Sequence, residues 1–191
     1  MEFVLIRHGD PDYSACVRGG INGQGFGLVP LSEKGLQQAR QVAAHPALAG
    51  AQLVLSSPYT RALQTAAEIV RATGLPLAVE PDLHELMADR SGAPHTRAEM
   101  KQLHQEFLAC RGCWPEGGER PWETVEQLTD RVTSVLSRYL SYDKVIVVTH
   151  GGVIRRFVND QRIAYCTPYV VPMEGRVECQ GWIDVPEDIS Q

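Results

Sequence analysis

Residues 144–152 read KVIVVTHGG, and this stretch decides the fold class. A continuous run of β-branched residues without polar alternation is typical of a strand that is buried on both faces. Such strands belong to parallel sheets that helices cover on both sides. The run therefore predicts a central strand over Lys144–Thr149, with His150 and two glycines directly after its end.

Shorter apolar runs predict the other elements of the sheet. Three of them read as strands, at Glu2–Ile6, Gln52–Ser56 and Leu77–Glu80. Apolar residues at helical spacing predict a helix over residues 32–45, one that opens at Ser57-Pro58 and stops at Gly74, and a long one over residues 121–141. Residues 96–109 are also compatible with a helix.

This alternation of strands and helices predicts an α/β protein, with a mainly parallel central sheet in a three-layer α/β/α sandwich. A chain of 191 residues is expected to form a single domain over residues 1–191. Residues 169–173 and 177–183 predict a hairpin at the sheet edge. The glycine-rich segment between Asp10 and Pro30 has no sustained period and predicts a long functional loop.

Charge and composition narrow the function classes. The formal net charge is −5, so neither a nucleic acid nor an anionic membrane surface is expected as a partner. The N-terminal residues lack a leader pattern, and no window approaches the roughly 20 apolar residues of a membrane span. Five cysteines in a chain of this size predict free thiols and a cytoplasmic location. Any anionic ligand must be held by a local basic pocket.

Charged and imidazole side chains follow three of the predicted strands. Arg7 and His8 follow the first, Arg61 lies in the first helical turn after the second, and His150 follows Thr149. Because ligands bind beyond the carboxyl ends of strands in such sheets, we expect these residues to converge. Two arginines and a protonated His150 can clamp a phosphoryl group. An imidazole can attack phosphorus when a backbone carbonyl or similar acceptor fixes its tautomer.

The motifs around these residues resemble those of one family. They read RHG at 7–9, PLSEKGLQQA at 30–39, SSPYTRALQTA at 56–66 and HGG at 150–152. Together they resemble branch 1 of the histidine phosphatase superfamily, whose members are phosphoglycerate mutase-like, over residues 2 to about 158. The resemblance implies the phosphoglycerate mutase-like fold and a metal-independent phosphomonoester hydrolase without a cofactor.

The resemblance also implies roles for individual residues. His8 is the implied nucleophile, which forms a phosphohistidine, and Glu85 occupies the place of the general acid/base. The implied phosphate-binding residues, which also take part in catalysis, are Arg7, Arg61 and His150. Arg18 and Asn22 in the glycine-rich loop and Gly151 complete the expected substrate-binding set. The expected partner is a small phosphorylated metabolite or a phosphoprotein.

Two departures from the family pattern lie near the expected substrate. The family's G-x-W-E-G stretch is absent after Glu85, and Leu28 stands where relatives carry an aspartate. Specificity is therefore expected to come from residues 10–30 and 86–120, where the resemblance is weakest.

Several alternatives remain open from the sequence. The same pocket suits a phosphoglycerate mutase-like phosphotransferase, or a regulatory module that binds a phosphorylated ligand without turnover. The HGDPD stretch at 8–12 mixes histidine and carboxylates as metal sites do, but no further ligand set completes it. Cys110 and Cys113 form a C-x-x-C that reads as two free thiols rather than a zinc or redox site. The oligomeric state has no sequence signal.

Overall fold

The computed structural model describes residues 1–14, 18, 23–93, 95–160 and 162–182. Within these ranges one sheet contains the strands β1 (Glu2–Arg7), β2 (Leu53–Ser56), β3 (Leu77–Val79), β4 (Lys144–Thr149) and β5 (Pro168–Pro172). The strand order is β3-β2-β4-β1-β5, and only β5 runs antiparallel to its neighbour. The predicted mainly parallel sheet is confirmed, and β4 has both the predicted bounds and the central position.

Helices connect the strands. The α-helices are α1 (Glu33–Ala43), α2 (Thr60–Thr73), α3 (Arg97–Ala109), α4 (Val125–Ser137) and α5 (Gly151–Ile154). Short 3₁₀ helices lie at Gly23–Leu28, Pro46–Leu48 and Pro81–Leu83. Ser32 caps α1 by accepting a hydrogen bond from the Gly35 amide, and Gly74 ends α2 with a left-handed φ of 70°. In the described part of the chain, no helix has the length and apolar content to cross a bilayer.

Alternate residues of β1 show the two layers that cover the sheet. Phe3 and Leu5 point into a core that α4 and α5 complete, whereas Val4 and Ile6 point into a core formed with α1 and α2. All four side chains are completely buried. Burying a side chain of this kind stabilises the fold by about 1.5–3 kcal/mol. The two cores confirm the predicted three-layer sandwich.

Two helices begin later than the sequence pattern predicted. The helix after β2 begins at Thr60, and Pro58 precedes it instead of occupying its first position. The Ser57 amide still bonds the Val148 carbonyl, which extends the contact with the sheet by one residue past β2 and delays the start of the helix. The helix predicted over residues 121–141 begins at Val125, because a capping box between Thr124 and Gln127 fixes its start. It ends at Ser137.

The predicted edge hairpin is wrong in its second half. Pro168–Pro172 does form the edge strand β5, paired with β1. Residues 177–182 form no strand, because Val177 and Cys179 pack on the core beneath the sheet and Gln180 bonds the Arg156 carbonyl. Ile183 lies outside the described residues.

Candidate active site

The carboxyl ends of three adjacent strands bring the candidate residues together. β1 ends before His8, β4 ends before His150, and β2 leads through Ser57 to Arg61 at the start of α2. Since β4 lies between β1 and β2, the three segments meet at one edge of the sheet. The rings of His8 and His150 have centroids 5.1 Å apart, and both are buried.

The His8 imidazole is fixed by one bond at each nitrogen. Its Nδ1 donates to the carbonyl of Gly9 at 2.7 Å, and its Nε2 accepts a hydrogen bond from Arg61 Nε at 3.0 Å. The proton therefore resides on Nδ1 and the lone pair on Nε2. Burial lowers the pKa of His8 well below its ordinary value, and Arg61 lowers it further. The ring is thus neutral and nucleophilic at Nε2 near neutral pH.

Glycine is required at position 9, next to His8. Gly9 lies against the backbone of Gly35 at the start of α1, and a Cβ atom at position 9 would overlap the Gly35 carbonyl. The Gly9 amide donates to Thr65 Oγ1 at 3.1 Å, which ties the turn to α2. This packing holds the Gly9 carbonyl that orients His8.

Arg61 links the two histidines from the first turn of α2. Besides its bond to His8, it donates through Nη1 to the Phe26 carbonyl at 2.8 Å, and its Nη2 lies 3.4 Å from His150 Nδ1. Its side chain is almost fully buried. A buried guanidinium at a helix start is suited to holding an anion.

Burial and the neighbouring positive charges favour a neutral His150 imidazole in this arrangement. Burial lowers its pKa well below the ordinary value, and the neighbouring His8 and Arg61 lower it further. With Arg61 on the Nδ1 side, the network favours a proton on Nε2, which lies 2.7 Å from Ser57 Oγ. The negative charge of a phosphoryl group acts in the opposite direction and would favour protonation.

Arg7 borders this cluster from the end of β1. Its Nη1 donates to the Ile163 carbonyl at 2.7 Å, and its guanidinium lies 3.9 Å over the ring of Tyr165. Its buried Nε has no hydrogen-bond partner among the described residues. Gly151 packs next to this Nε, where a Cβ atom would be 3.6 Å away. Arg7 therefore retains one donor for a ligand.

Glu85 approaches the same region from the segment after β3. Its carboxylate accepts hydrogen bonds from the amides of Leu86 at 2.8 Å and Gly152 at 3.1 Å. A Cβ atom on residue 152 would overlap Glu85 Oε1, so the second glycine of HGG makes room for this carboxylate. Glu85 and Arg61 line one cavity of about 130 Å³.

Residues that the sequence did not single out hold the Glu85 segment in place. Arg131 of α4 donates to the carbonyls of Asp82, His84 and Glu85, and binds both carboxylate oxygens of Glu123. The Glu123 carboxylate also accepts the Met87 amide at 3.2 Å. These contacts fix the backbone on both sides of Glu85, yet Arg131 and Glu123 lie 46 and 38 residues further along the chain.

Other predicted and unassigned residues have distinct positions. Arg18 is exposed and donates to Ser14 Oγ at 2.8 Å, and Asn22 lies outside the described residues. His84, to which the sequence assigned no role, stacks on Tyr59 with ring centroids 6.3 Å apart and contributes to the lowered pKa of His150. The sequence could have identified Ser57 and Tyr59 as site residues, because both lie within the SSPYTRALQTA motif.

The four cysteines that the structure describes form no disulfide. Cys110, Cys113, Cys166 and Cys179 are free thiols, and burial raises the pKa of Cys166 to about 12. Across the described ranges, no group of three or more His, Cys, Asp or Glu side chains is arranged to hold a metal ion.

A comparison with known families matches residues 3–161 to branch 1 of the histidine phosphatase superfamily. The chain belongs to this superfamily. Among its relatives is the adenosylcobalamin/alpha-ribazole phosphatase of Escherichia coli (strain K12), which is 30% identical over 162 residues, 81% of this chain and 75% of the relative. Phosphoglycerate mutase-like protein 4 of Arabidopsis thaliana is 33% identical over 175 residues, 84% of this chain and 71% of that protein.

Solved structures of this superfamily share the fold. The crystal structure of a putative alpha-ribazole-5'-P phosphatase from Escherichia coli superposes with a TM-score of 0.67 at 22% identity, and covers 96% of both chains. The likeness confirms the predicted phosphoglycerate mutase-like α/β architecture over almost the whole length of this chain.

Proposed function

We propose that this protein is a metal-independent phosphomonoester hydrolase that forms a phosphohistidine on His8. The observation that carries the proposal is the pair of bonds at His8, which places the proton on Nδ1 and leaves the Nε2 lone pair beside Arg61. A neutral imidazole held in this tautomer can attack phosphorus without a separate base. The family membership and a relative named as a phosphatase support the same activity.

In the first half-reaction His8 Nε2 forms a bond to phosphorus while the ester oxygen leaves. As the phosphoryl group binds, the Arg61 Nε–H exchanges His8 Nε2 for a phosphoryl oxygen, which frees the Nε2 lone pair for attack. Arg7, whose buried Nε has no other partner among the described residues, faces the same negative charge. His150 adds a hydrogen-bond donor and gains a proton as the anion binds. Glu85 in its protonated form gives a proton to the departing alkoxide, a step typically worth about 10²- to 10⁴-fold in rate.

In the second half-reaction water attacks the phosphohistidine. Glu85, now a carboxylate, accepts a proton from this water, and the P–N bond breaks to return neutral His8 and inorganic phosphate. The amides of Leu86 and Gly152 orient the Glu85 carboxylate in this state. The protein is therefore proposed to act on a small phosphorylated metabolite, the substrate type named for the relative from Escherichia coli.

Phosphoglycerate mutase activity is the second candidate, because a relative that is 33% identical carries a mutase-like name. One assay separates the candidates. Purified protein is incubated in EDTA with 3-phosphoglycerate or a simple alkyl phosphate, with and without 2,3-bisphosphoglycerate, and both inorganic phosphate and 2-phosphoglycerate are measured. The proposal expects phosphate release that persists in EDTA. Loss of activity in EDTA, net isomerisation in place of hydrolysis, or binding without turnover would contradict it.

A further inference from the structure

The cavity next to the proposed phosphate site has an apolar wall. Its lining includes Arg61 and Glu85 and the apolar or aromatic side chains of Phe26, Tyr59, Leu86, Met87 and Met100. Apart from Tyr59, these apolar residues come from the two regions where the family motifs are weakest. The leaving group of a phosphomonoester bound at His8 must occupy this space, because Glu85 has to reach the ester oxygen.

The aromatic wall is held in place by its neighbours. Tyr59 contacts the edge of His150, with centroids 5.0 Å apart, and stacks on His84 at 6.3 Å. A Cβ atom on Gly27 would lie 3.0 Å from the Tyr59 ring, so the backbone at Gly27 already touches it. A wall that is ordered before binding costs little entropy when a ligand packs on it. Met87 and Met100, which also line the cavity, have flexible side chains that can adapt to an apolar ligand.

Three charged side chains line the described part of the cavity, Arg61, Glu85 and Asp89. Arg61 already bonds His8 and the Phe26 carbonyl and faces the phosphoryl position. Glu85 is uncharged when it acts as the acid. Burial alone would raise the pKa of Asp89, but hydrogen bonds from Ser91 and the proximity of His95 outweigh it and lower the pKa, so Asp89 is ionised. A second anionic group on the substrate would therefore meet the negative charge of Asp89.

We propose that this cavity selects phosphate monoesters of uncharged, largely apolar alcohols and discriminates against leaving groups that carry a carboxylate or a second phosphate. The proposal rests on the hydrolase function proposed above and adds its substrate class. Apolar contact with Tyr59, Met87 and Met100 favours the first class. Repulsion from the ionised Asp89 disfavours the second.

Three primary alkyl phosphates that need the same proton from Glu85 test this preference. They are 2-phenylethyl phosphate, glycerol 3-phosphate and 3-phosphoglycerate, which differ in whether the leaving group is apolar, polar or anionic. We expect kcat/KM for 2-phenylethyl phosphate to exceed that for 3-phosphoglycerate by about tenfold or more. Equal values, or a preference for 3-phosphoglycerate, would overturn the proposal and leave the hydrolase function intact. Failure to hydrolyse all three would instead contradict the hydrolase function.

Two lysine substitutions on α3 give a matched pair. Met100→Lys places a cation in the wall of the cavity, whereas Gln102→Lys adds the same charge at an exposed position two residues further on. We expect Met100→Lys to lower the ratio of kcat/KM for 2-phenylethyl phosphate over 3-phosphoglycerate by about tenfold, and Gln102→Lys to leave it unchanged. Equal effects of the two variants would show that total charge, not the cavity, sets the ratio, and would overturn the proposal.

Discussion

The two ends of the candidate site are built in different ways. At the phosphate end, His8, Arg61 and His150 follow sheet strands, are buried, and bond one another directly. At the leaving-group end, Glu85 lies in an irregular segment that is held by Arg131 and by Gly152. The first end is organised by the sheet and the second by contacts across long sequence distances. The phosphate end should therefore depend chiefly on the motif residues, whereas the leaving-group end should also depend on Arg131, which lies outside every motif.

The largest effect is expected from removal of His8, the proposed nucleophile. His8→Ala should lower kcat for alkyl and aryl phosphates alike by about 10⁴-fold or more, because no other group forms the phosphohistidine. His45→Ala is the matched control, since His45 is exposed and caps a 3₁₀ helix through the Ala47 amide. Steady-state kinetics on both substrate types check this. Retention of activity in His8→Ala would remove His8 from the mechanism.

Removal of Glu85, the proposed proton donor, should slow an alkyl phosphate much more than an aryl phosphate. Glu85→Gln should lower kcat for 2-phenylethyl phosphate by about 10²- to 10³-fold, because an alkoxide leaves poorly without a proton. The loss for p-nitrophenyl phosphate should be under about tenfold, since p-nitrophenolate is a stable leaving group. Comparing the two losses is the measurement. Equal losses would assign the acid role to another group.

Substitution of Arg131 should also slow the alkyl phosphate more than the aryl phosphate, but by a smaller factor. Arg131→Lys keeps a positive charge beside Glu123 but cannot bind three carbonyls and both carboxylate oxygens at once. The misplaced Glu85 should lower kcat for 2-phenylethyl phosphate by about 10- to 100-fold, with little change for p-nitrophenyl phosphate.

Arg138→Lys is the control for Arg131, because Arg138 follows α4 and pairs with Glu80 rather than with the Glu85 segment. This variant should change neither rate. If Arg131→Lys slowed both substrates equally, Arg131 would support the fold in general and not the position of Glu85.

The smallest effect concerns pH. The ordinary pKa of histidine is near 6.5, and burial together with Arg61 holds the pKa of His8 below it. The neutral nucleophile therefore persists as pH falls, and the acidic limb of kcat/KM should lie below pH 6.5. A profile of kcat/KM for p-nitrophenyl phosphate, corrected for the ionisation of the substrate, checks this. A limb for the free enzyme at or above pH 6.5 would contradict a buried, neutral His8.

The same contrast explains what the sequence could predict. The uninterrupted run of β4 gave the bounds of that strand and the place of His150, because a strand buried on both faces leaves few alternatives. The start of α2 was predicted too early, since the bond from Ser57 to Val148 that extends the sheet depends on a distant strand. Arg131 and Glu123 looked like ordinary helix and loop residues. Their role emerges only when α4 packs next to the Glu85 segment.

The central claim is that His8 carries the phosphoryl group. Wild-type protein is mixed in EDTA with 2-phenylethyl phosphate labelled in the phosphoryl group, quenched within milliseconds in alkaline detergent, digested and mapped by mass spectrometry. We expect the label on the peptide that contains His8, stable to base, lost in acid, and absent in His8→Ala. Steady turnover with no label at His8, or a label at another residue, would contradict the account.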